Sequence, residues 1–188
     1  MKVGVLGGSF DPPHIGHLYV AKTLLKNKYC EKVIFMPAFR HPFGKQSLDP
    51  SHRLAMTKLL ETKNIEVFDS EIKREKISYT IDTLNSLKNQ SPKDNFVWII
   101  GEDQIKDFEK WKDWKEIIEK FGLIVMPRQK RSPRRSPSAT FEVQYAKTFK
   151  SLNISSSEIR ERTKKGLPID NLVPKEVKNY IIKHKLYR

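Results

Sequence analysis

Short apolar runs and longer stretches with apolar residues every three or four positions take turns along this chain. Lys2 to Leu6 is compact and apolar, as a buried strand is. Gly7 and Gly8 follow and predict a tight turn. From about His14 to Asn27 the period lengthens. Ile15, Leu18, Ala21, Leu24 and Leu25 fall on one face of a predicted helix. Val33 to Met36 is a second strand, stopped by Pro37. Asp49-Pro50-Ser51 opens a helix over 51–61, and Ile65 to Phe68 is a third strand. Tyr79 to Lys88 carries Ile81, Leu84 and Leu87 at helical spacing. Phe96 to Ile100 is a fourth strand ending at Gly101. Asp103 to Phe108 begins a helix, Trp111 to Lys120 continues as an amphipathic one, and Leu123 to Met126 is a fifth strand. Phe141 to Tyr145 alternates like a sixth. Ser155 with Glu158 three residues on predicts a capping box at a helix that closes near Gly166. Pro174 to Lys185 is a final helix, with Val177, Tyr180, Ile181 and Ile182 facing inward.

Strands that alternate with helices throughout predict an α/β architecture. The expectation is a Rossmann-like, doubly wound parallel sheet with a helical C-terminal cap, residues 1–188 forming one unit. The exception to the pattern is Pro127 to Ser138, rich in Arg, Lys, Ser and Pro and without an apolar residue beyond its prolines, which reads as a mobile basic loop.

Composition narrows the setting. The 188 residues hold one cysteine, Cys30, so no internal disulfide is expected, which fits a reducing compartment. The N-terminal apolar run is too short for a signal peptide and no stretch is long enough to span a membrane, so the expected place is the cytoplasm. A net charge of +14 fits a polyanionic partner, although solubility or a lysine-rich proteome explains a basic chain equally well.

In an open parallel sheet, ligands gather at the carboxyl ends of the strands, where strand order reverses. Chemistry-bearing residues collect at those ends. Gly7 to Phe10 follow the first strand, Phe39 to Lys45 the second, and Gly101 to Asp103 the fourth. Arg128 follows the fifth, and Ser155 and Ser156 the sixth. The chain has no Gly-x-x-x-x-Gly-Lys-Ser/Thr and no Gly-x-Gly-x-x-Gly after the first strand, which argues against a P-loop ATPase and a dinucleotide-dependent dehydrogenase. A metal site on His14 and His17 lacks a further ligand nearby. What remains is an anion site: glycines before a helix start, whose dipole and N–H groups suit phosphate, and two imidazoles three residues apart on one face. Their expected work is to donate hydrogen bonds to phosphate oxygens that gain charge in a phosphoryl-type transition state.

Gly7-Gly8-Ser9-Phe10-Asp11-Pro12-x-His14-x-Gly16-His17 resembles the signature of the nucleotidyltransferase superfamily with the His-x-Gly-His motif. Ile154-Ser155-Ser156-Ser157-Glu158-Ile159-Arg160 is similar to that superfamily's second motif, Ile-Ser-Ser/Thr-x-x-Ile-Arg. Three further stretches resemble the bacterial nicotinate-nucleotide adenylyltransferases. They are Ser78-Tyr79-Thr80-x-x-Thr83-Leu84, Ile99-Ile100-Gly101-Glu102-Asp103 with Phe108 and Trp111 downstream, and Leu123-Ile124-Val125-x-x-Arg128. The resemblance covers nearly the whole chain.

It implies a reaction: ATP and nicotinic acid mononucleotide (NaMN) give deamido-NAD and pyrophosphate. It further implies that His14, His17 and Arg160 carry catalysis. Gly7, Gly8, Ser9 and Phe10 line the nucleotide path, Gly101 and Asp103 lie near the adenosine, and Ser155, Ser156 and Arg160 hold the outer phosphates. Mg²⁺ rides on the ATP phosphates, largely without protein ligands. On the acceptor side the resemblance points to Tyr79, Thr80 and Trp111 at the pyridine ring, with Arg128, His41 and Lys45 as phosphate ligands. The chain departs from the family here. Many members carry Pro-Pro-His-Lys after the second strand, where this one has Phe39-Arg40-His41-Pro42-Phe43-Gly44-Lys45. Trp111 could instead pack on Trp114 or the core, Thr80 could serve as a helix cap, and Arg128 could simply belong to the basic loop. Nicotinamide mononucleotide (NMN) or another phosphorylated acceptor is the alternative substrate. A basic nucleic-acid-binding protein on the same fold is a remote one, which the intact motifs argue against. No membrane partner is expected, and a homo-oligomer stays open.

Overall fold

The computed structural model describes residues 1–40, 42, 47–127, 143–146, 149 and 152–188. His41, Lys45 and Arg128 therefore lie outside the described residues, as do most of the basic loop and the start of the predicted sixth strand.

Among the described residues six strands form one sheet: β1 (Lys2–Gly8), β2 (Lys32–Pro37), β3 (Ile65–Val67), β4 (Asn95–Gly101), β5 (Leu123–Met126) and β6 (Gln144–Tyr145). Their order is β3-β2-β1-β4-β5-β6, and every neighbouring pair is parallel. The helices are α1 (Ile15–Lys26), α2 (Pro50–Lys58), α3 (Ser70–Arg74), α4 (Thr80–Gln90), α5 (Trp114–Lys120), α6 (Ser156–Lys164) and α7 (Lys175–Lys183). A 3₁₀ segment covers Glu102–Lys110.

Side chains alternate across each strand and sort the core into two layers. Val3, Val5, Ile34, Met36, Phe96, Trp98, Ile100, Leu123 and Val125 face one side, under Ile81, Leu84 and Leu87 of α4 and Ile117 of α5. Val33, Phe35, Val97, Ile99, Ile124 and Met126 face the other. Ala21 and Leu24 of α1, Met56 of α2, Ile159 of α6 and Val177 and Ile181 of α7 cover them. Both faces are dry, which is why the strands read as unbroken apolar runs. The chain leaves β1 toward β2 and β3, then returns to add β4, β5 and β6 on the other side. The reversal lies between β1 and β4, the place where sheets of this kind hold their ligand crevice.

Several elements differ from the sequence-based expectation. Gly7 and Gly8 belong to β1 and pair with Met36 and Pro37, so the turn begins at Ser9. Gly7 is required by packing: a Cβ there would sit 2.3 Å from the Trp98 ring. Helix α3 was not foreseen. The segment after Gly101 is a 3₁₀ helix rather than an α-helix, and Trp111 ends it in an extended conformation (φ −75°, ψ 146°) instead of opening α5. On α7, Val177 and Ile181 are buried, but Ile182 is 53 % exposed, because it follows Ile181 around to the solvent side.

Candidate active site

β1 delivers the chain to the switch point, where Ser9 to Pro13 form the connection to α1. Phe10 takes a left-handed backbone, φ 49°. For a bulky residue such a conformation costs roughly 1–3 kcal/mol. Burial of its ring offsets that strain: the side chain is 2 % exposed, 5.4 Å from the Phe35 ring and 4.8 Å from the ring of His17.

His14 is the N-cap of α1, one position before the helix that was expected to include it. The Nδ1 of His17 accepts the backbone N–H of His14 at 3.1 Å. A histidine thus does the work of the Glu or Gln in a capping box. The bond has a chemical consequence. A backbone amide can only donate, so Nδ1 of His17 carries no proton and the neutral ring holds its hydrogen on Nε2. Burial, helped by the neighbouring His14, holds the His17 pKa well below the ordinary histidine value. His17 is therefore a neutral, pre-oriented Nε2–H donor. The two rings lie 3.8 Å apart. Gly16 makes this possible, since a Cβ there would stand 2.8 Å from the His14 ring. The His-x-Gly-His motif is thus one mechanical unit: cap, clearance, and a donor held by the cap. The helix start itself is less open than a bare helix end, because the Ile15 N–H already donates to the Leu172 carbonyl at 3.0 Å.

The second motif is latched onto the first. Ser155 caps α6, its hydroxyl accepting the Glu158 N–H at 3.2 Å. The Ser156 hydroxyl donates to the Pro12 carbonyl at 2.8 Å, so its proton is committed to the loop. Arg160 Nη1 donates to the Asp11 carbonyl at 2.6 Å and Nη2 to the Ser157 hydroxyl at 3.3 Å. The loop before α1 and the start of α6 therefore form two walls of one crevice, bringing together His14, His17, Ser155, Ser156 and Arg160.

Sequence reasoning missed the residues behind those walls. Arg53 on α2 is 1 % exposed. Its guanidinium donates to the carbonyls of Leu48 (2.8 Å), Ser9 (2.8 Å) and Phe39 (3.0 Å), tying the connections after β1 and β2 together. Asp11 is also buried. One carboxylate oxygen accepts the Tyr187 hydroxyl at 2.7 Å, and the other accepts the Leu48 N–H at 3.2 Å. A polar residue in an amphipathic pattern reads as solvent-facing, so Arg53 gave no signal, and Asp11 stood in the first motif without a role of its own.

The edge beyond β2 and β4 is built differently. The buried Ser78 hydroxyl accepts the Phe39 N–H at 3.1 Å. Below it, Glu71 of α3 is buried and accepts a hydrogen bond from the Thr83 hydroxyl. Burial raises the Glu71 pKa, against the opposing pull of Ser78, Thr83 and Arg74. Tyr79 is the N-cap of α4 and Thr80 its first residue, so Thr80 is not the cap. Lys112 sits 5.1 Å from the centre of the Tyr79 ring and pairs with Asp82 at 2.8 Å. Trp111 packs on Phe108 at 5.2 Å and is half-buried. Gly101 ends β4 half-buried, and Asp103 is exposed on the 3₁₀ segment. Among the described residues no group of three or more His, Cys, Asp or Glu gathers as a metal site would, and no helix is long and apolar enough to cross a membrane.

Residues 5–162 match the family model described as cytidylyltransferase-like. A probable nicotinate-nucleotide adenylyltransferase of Methylacidiphilum infernorum is 38 % identical over 99 % of this chain and 92 % of its own length. The Dictyoglomus thermophilum protein of the same description is 37 % identical over the whole of both chains. In three dimensions, the Plasmodium falciparum nicotinic acid mononucleotide adenylyltransferase complexed with NaAD superimposes with a TM-score of 0.79. It shares 22 % identity and covers 99 % of this chain and 97 % of its own, a likeness of fold.

Proposed function

We infer the reaction from one premise: the chain belongs to the cytidylyltransferase-like family and, within it, to the nicotinate-nucleotide adenylyltransferases. It is a nucleotidyltransferase that moves the adenylyl group of ATP onto NaMN, giving deamido-NAD and pyrophosphate in NAD biosynthesis. A phosphate oxygen of NaMN attacks the α-phosphorus of ATP. The bond from that phosphorus to the bridging oxygen breaks, and pyrophosphate departs with the electron pair. The attacking oxygen is already ionised at neutral pH, so the protein needs no general base. It must align two polyanions and stabilise charge moving onto the leaving group.

The observation that carries the assignment of roles is the facing pair of walls, His14–His17 on α1 and Ser155–Arg160 on α6, joined through Asp11 and Pro12. His17 offers its fixed Nε2–H to the oxygens of the reacting phosphate. His14 donates beside it, and Arg160 meets the outer phosphates. Gly7, Gly8, Ser9 and Phe10 line the nucleotide path, with Gly101 and Asp103 toward the adenosine. Tyr79, Thr80 and Trp111 face the acceptor ring. His41, Lys45 and Arg128 belong to the same proposal on sequence grounds alone. The family works with a divalent ion on ATP, and we take it to be Mg²⁺. The donors here are imidazole N–H, guanidinium and hydroxyl, which suit a triphosphate; the ion then takes its ligands from phosphate oxygens and water. The same reading treats residues 1–188 as one unit working in the cytoplasm, as a monomer or a homo-oligomer.

The test is pyrophosphate release from the full chain with ATP and Mg²⁺ and, in turn, NaMN, NMN and phosphopantetheine. NaMN is expected to turn over with the highest kcat/KM. Turnover with NMN alone would move the assignment of acceptor, and silence with all three would remove the reading.

A further inference from the structure

The segment after α7 reaches back across the molecule to the loop before α1. It leaves the helix by a Schellman closure, with the Lys185 N–H on the Ile182 carbonyl (3.2 Å) and the Leu186 N–H on the Ile181 carbonyl (3.0 Å). Lys185 and Tyr187 both take left-handed backbones, φ 52° and 61°, a conformation that side chains other than glycine adopt reluctantly. Residues that follow a last helix ordinarily fray. Here two anchors hold the strained path: Leu186 is buried in the core, 7 % exposed, and the Tyr187 hydroxyl donates to Asp11 Oδ1 at 2.7 Å.

That contact governs a competition. Asp11 is a buried carboxylate beside the guanidinium proposed to bind triphosphate. A free carboxylate next to an arginine forms a bidentate pair, the strongest arrangement open to both. This one does not. Its Oδ1 is occupied by Tyr187 and its Oδ2 by the Leu48 N–H, and Arg160 Nη1 stays 3.9 Å from Oδ2 while bonding the Asp11 backbone carbonyl instead. The Arg160 side chain is 38 % exposed.

We propose that Tyr187 is a positioning residue of the ATP site: by holding Asp11 Oδ1, its hydroxyl keeps the carboxylate from turning onto Arg160 as a bidentate partner and leaves that guanidinium to the triphosphate. The phenol suits the task, because burial and the Asp11 carboxylate push its pKa upward and keep it a donor at every working pH. The inference rests on the reading of Arg160 as a phosphate ligand.

Equilibrium binding of ATP with Mg²⁺ to the full chain, without acceptor, tests it. Tyr187→Phe is expected to weaken ATP binding about tenfold, the worth of one hydrogen bond to a charged group. The KM for ATP should rise alike and the KM for the acceptor should stay put. Adding Asp11→Asn to Tyr187→Phe should restore most of the affinity, because a neutral amide does not compete for Arg160; a purely structural tyrosine predicts a further loss. Tyr180→Phe, which removes a hydroxyl on α7 that meets His52 of α2, should bind ATP as the parent does. If Tyr187→Phe does not fold, Asp11→Asn alone decides, with ATP affinity unchanged or tighter. Unaltered affinity in Tyr187→Phe, or weaker binding in the double variant than in Tyr187→Phe, overturns the proposal. Full affinity in Arg160→Ala overturns the assignment of Arg160 beneath it.

Discussion

The two halves of the crevice are built on opposite principles. The half made by α1 and α6 is held from behind by buried charge. Arg53 is almost inaccessible and gives three hydrogen bonds to carbonyls, Asp11 is held at both of its oxygens, and His17 is fixed by the cap of its own helix. The half made by Tyr79, Trp111 and Lys112 is held at the surface. Its most visible tie, Lys112 to Asp82, joins two side chains that are 45 % and 38 % exposed. Transition-state stabilisation depends on donors that do not reorganise, and a rigid, water-poor wall supplies them. Recognition of an acceptor must admit and release a substrate, and an open wall allows that. On the proposed assignment, chemistry belongs to the side held by buried ties and acceptor selectivity to the exposed one.

If that contrast holds, the largest loss comes from the deepest tie. Arg53→Ala leaves the carbonyls of Leu48, Ser9 and Phe39 without their donor in a dry interior. We expect about 3–5 kcal/mol of lost stability by chemical denaturation, the range seen when a buried charged partner is removed. A loss under 1 kcal/mol would mean that water replaces the guanidinium and that the wall is not dry.

The next effect separates position from chemistry. His17→Asn keeps an acceptor where Nδ1 stood, so the start of α1 survives, but removes the Nε2–H. The expected result is a fall in kcat of roughly 10²–10³, as for one lost donor to a developing oxyanion, with Tm close to the parent. The same variant probes acid sensitivity. The folded-state pKa of His17 lies below the ordinary 6.5, so on acidification the unfolded chain takes up the proton first. Stability therefore falls as pH drops below about 6.5, and it is fully present above that value. Melting curves from pH 7 to 5 should show a shallower acid loss in His17→Asn than in the parent.

The same division explains what was legible in the sequence. The His-x-Gly-His unit and the Ser155 cap are local. Cap, clearance and donor all come from residues within a few positions, so spacing reveals them. The strands were legible because burial on both faces leaves an apolar run without interruption. Gly7 was misread because its reason, the Trp98 ring, is far away in the chain. Arg53, Glu71 and Tyr187 were missed for the same cause: each is a polar residue whose partner comes from a distant segment. Trp111 was placed on a helix because a 3₁₀ segment and an α-helix give similar short apolar spacings. Of the proposed acceptor residues, His41, Lys45 and Arg128 lie outside the described residues, so that half rests more on resemblance than on geometry.

Glu71 shows where the soft half turns stiff. Its carboxylate accepts from Thr83, and burial raises its pKa. Glu71→Ala should cost about 1–3 kcal/mol, the penalty for leaving buried donors without an acceptor. Through Ser78 it should also loosen Phe39, so the acceptor KM should rise more than the KM for ATP. Equal rises in both would place Glu71 among the supports of the whole crevice rather than of one wall.

The smallest effect is expected at Lys112, and its smallness is the point. The ammonium lies over the Tyr79 ring, and the hydrogen bond to Asp82 raises its pKa. Solvent reaches both partners, and exposed pairs of this kind add little to stability. Lys112→Ala should therefore melt with the parent and change kcat/KM for NaMN within about twofold, if Lys112 only tethers Trp111 to α4. A selective loss for NaMN over NMN would give a different result. The charge would then be reading the carboxylate that distinguishes the two acceptors, and the soft wall would owe its selectivity to one exposed lysine. Parallel measurement of both acceptors on this single variant separates a tether from a reader, because a tether affects both substrates alike.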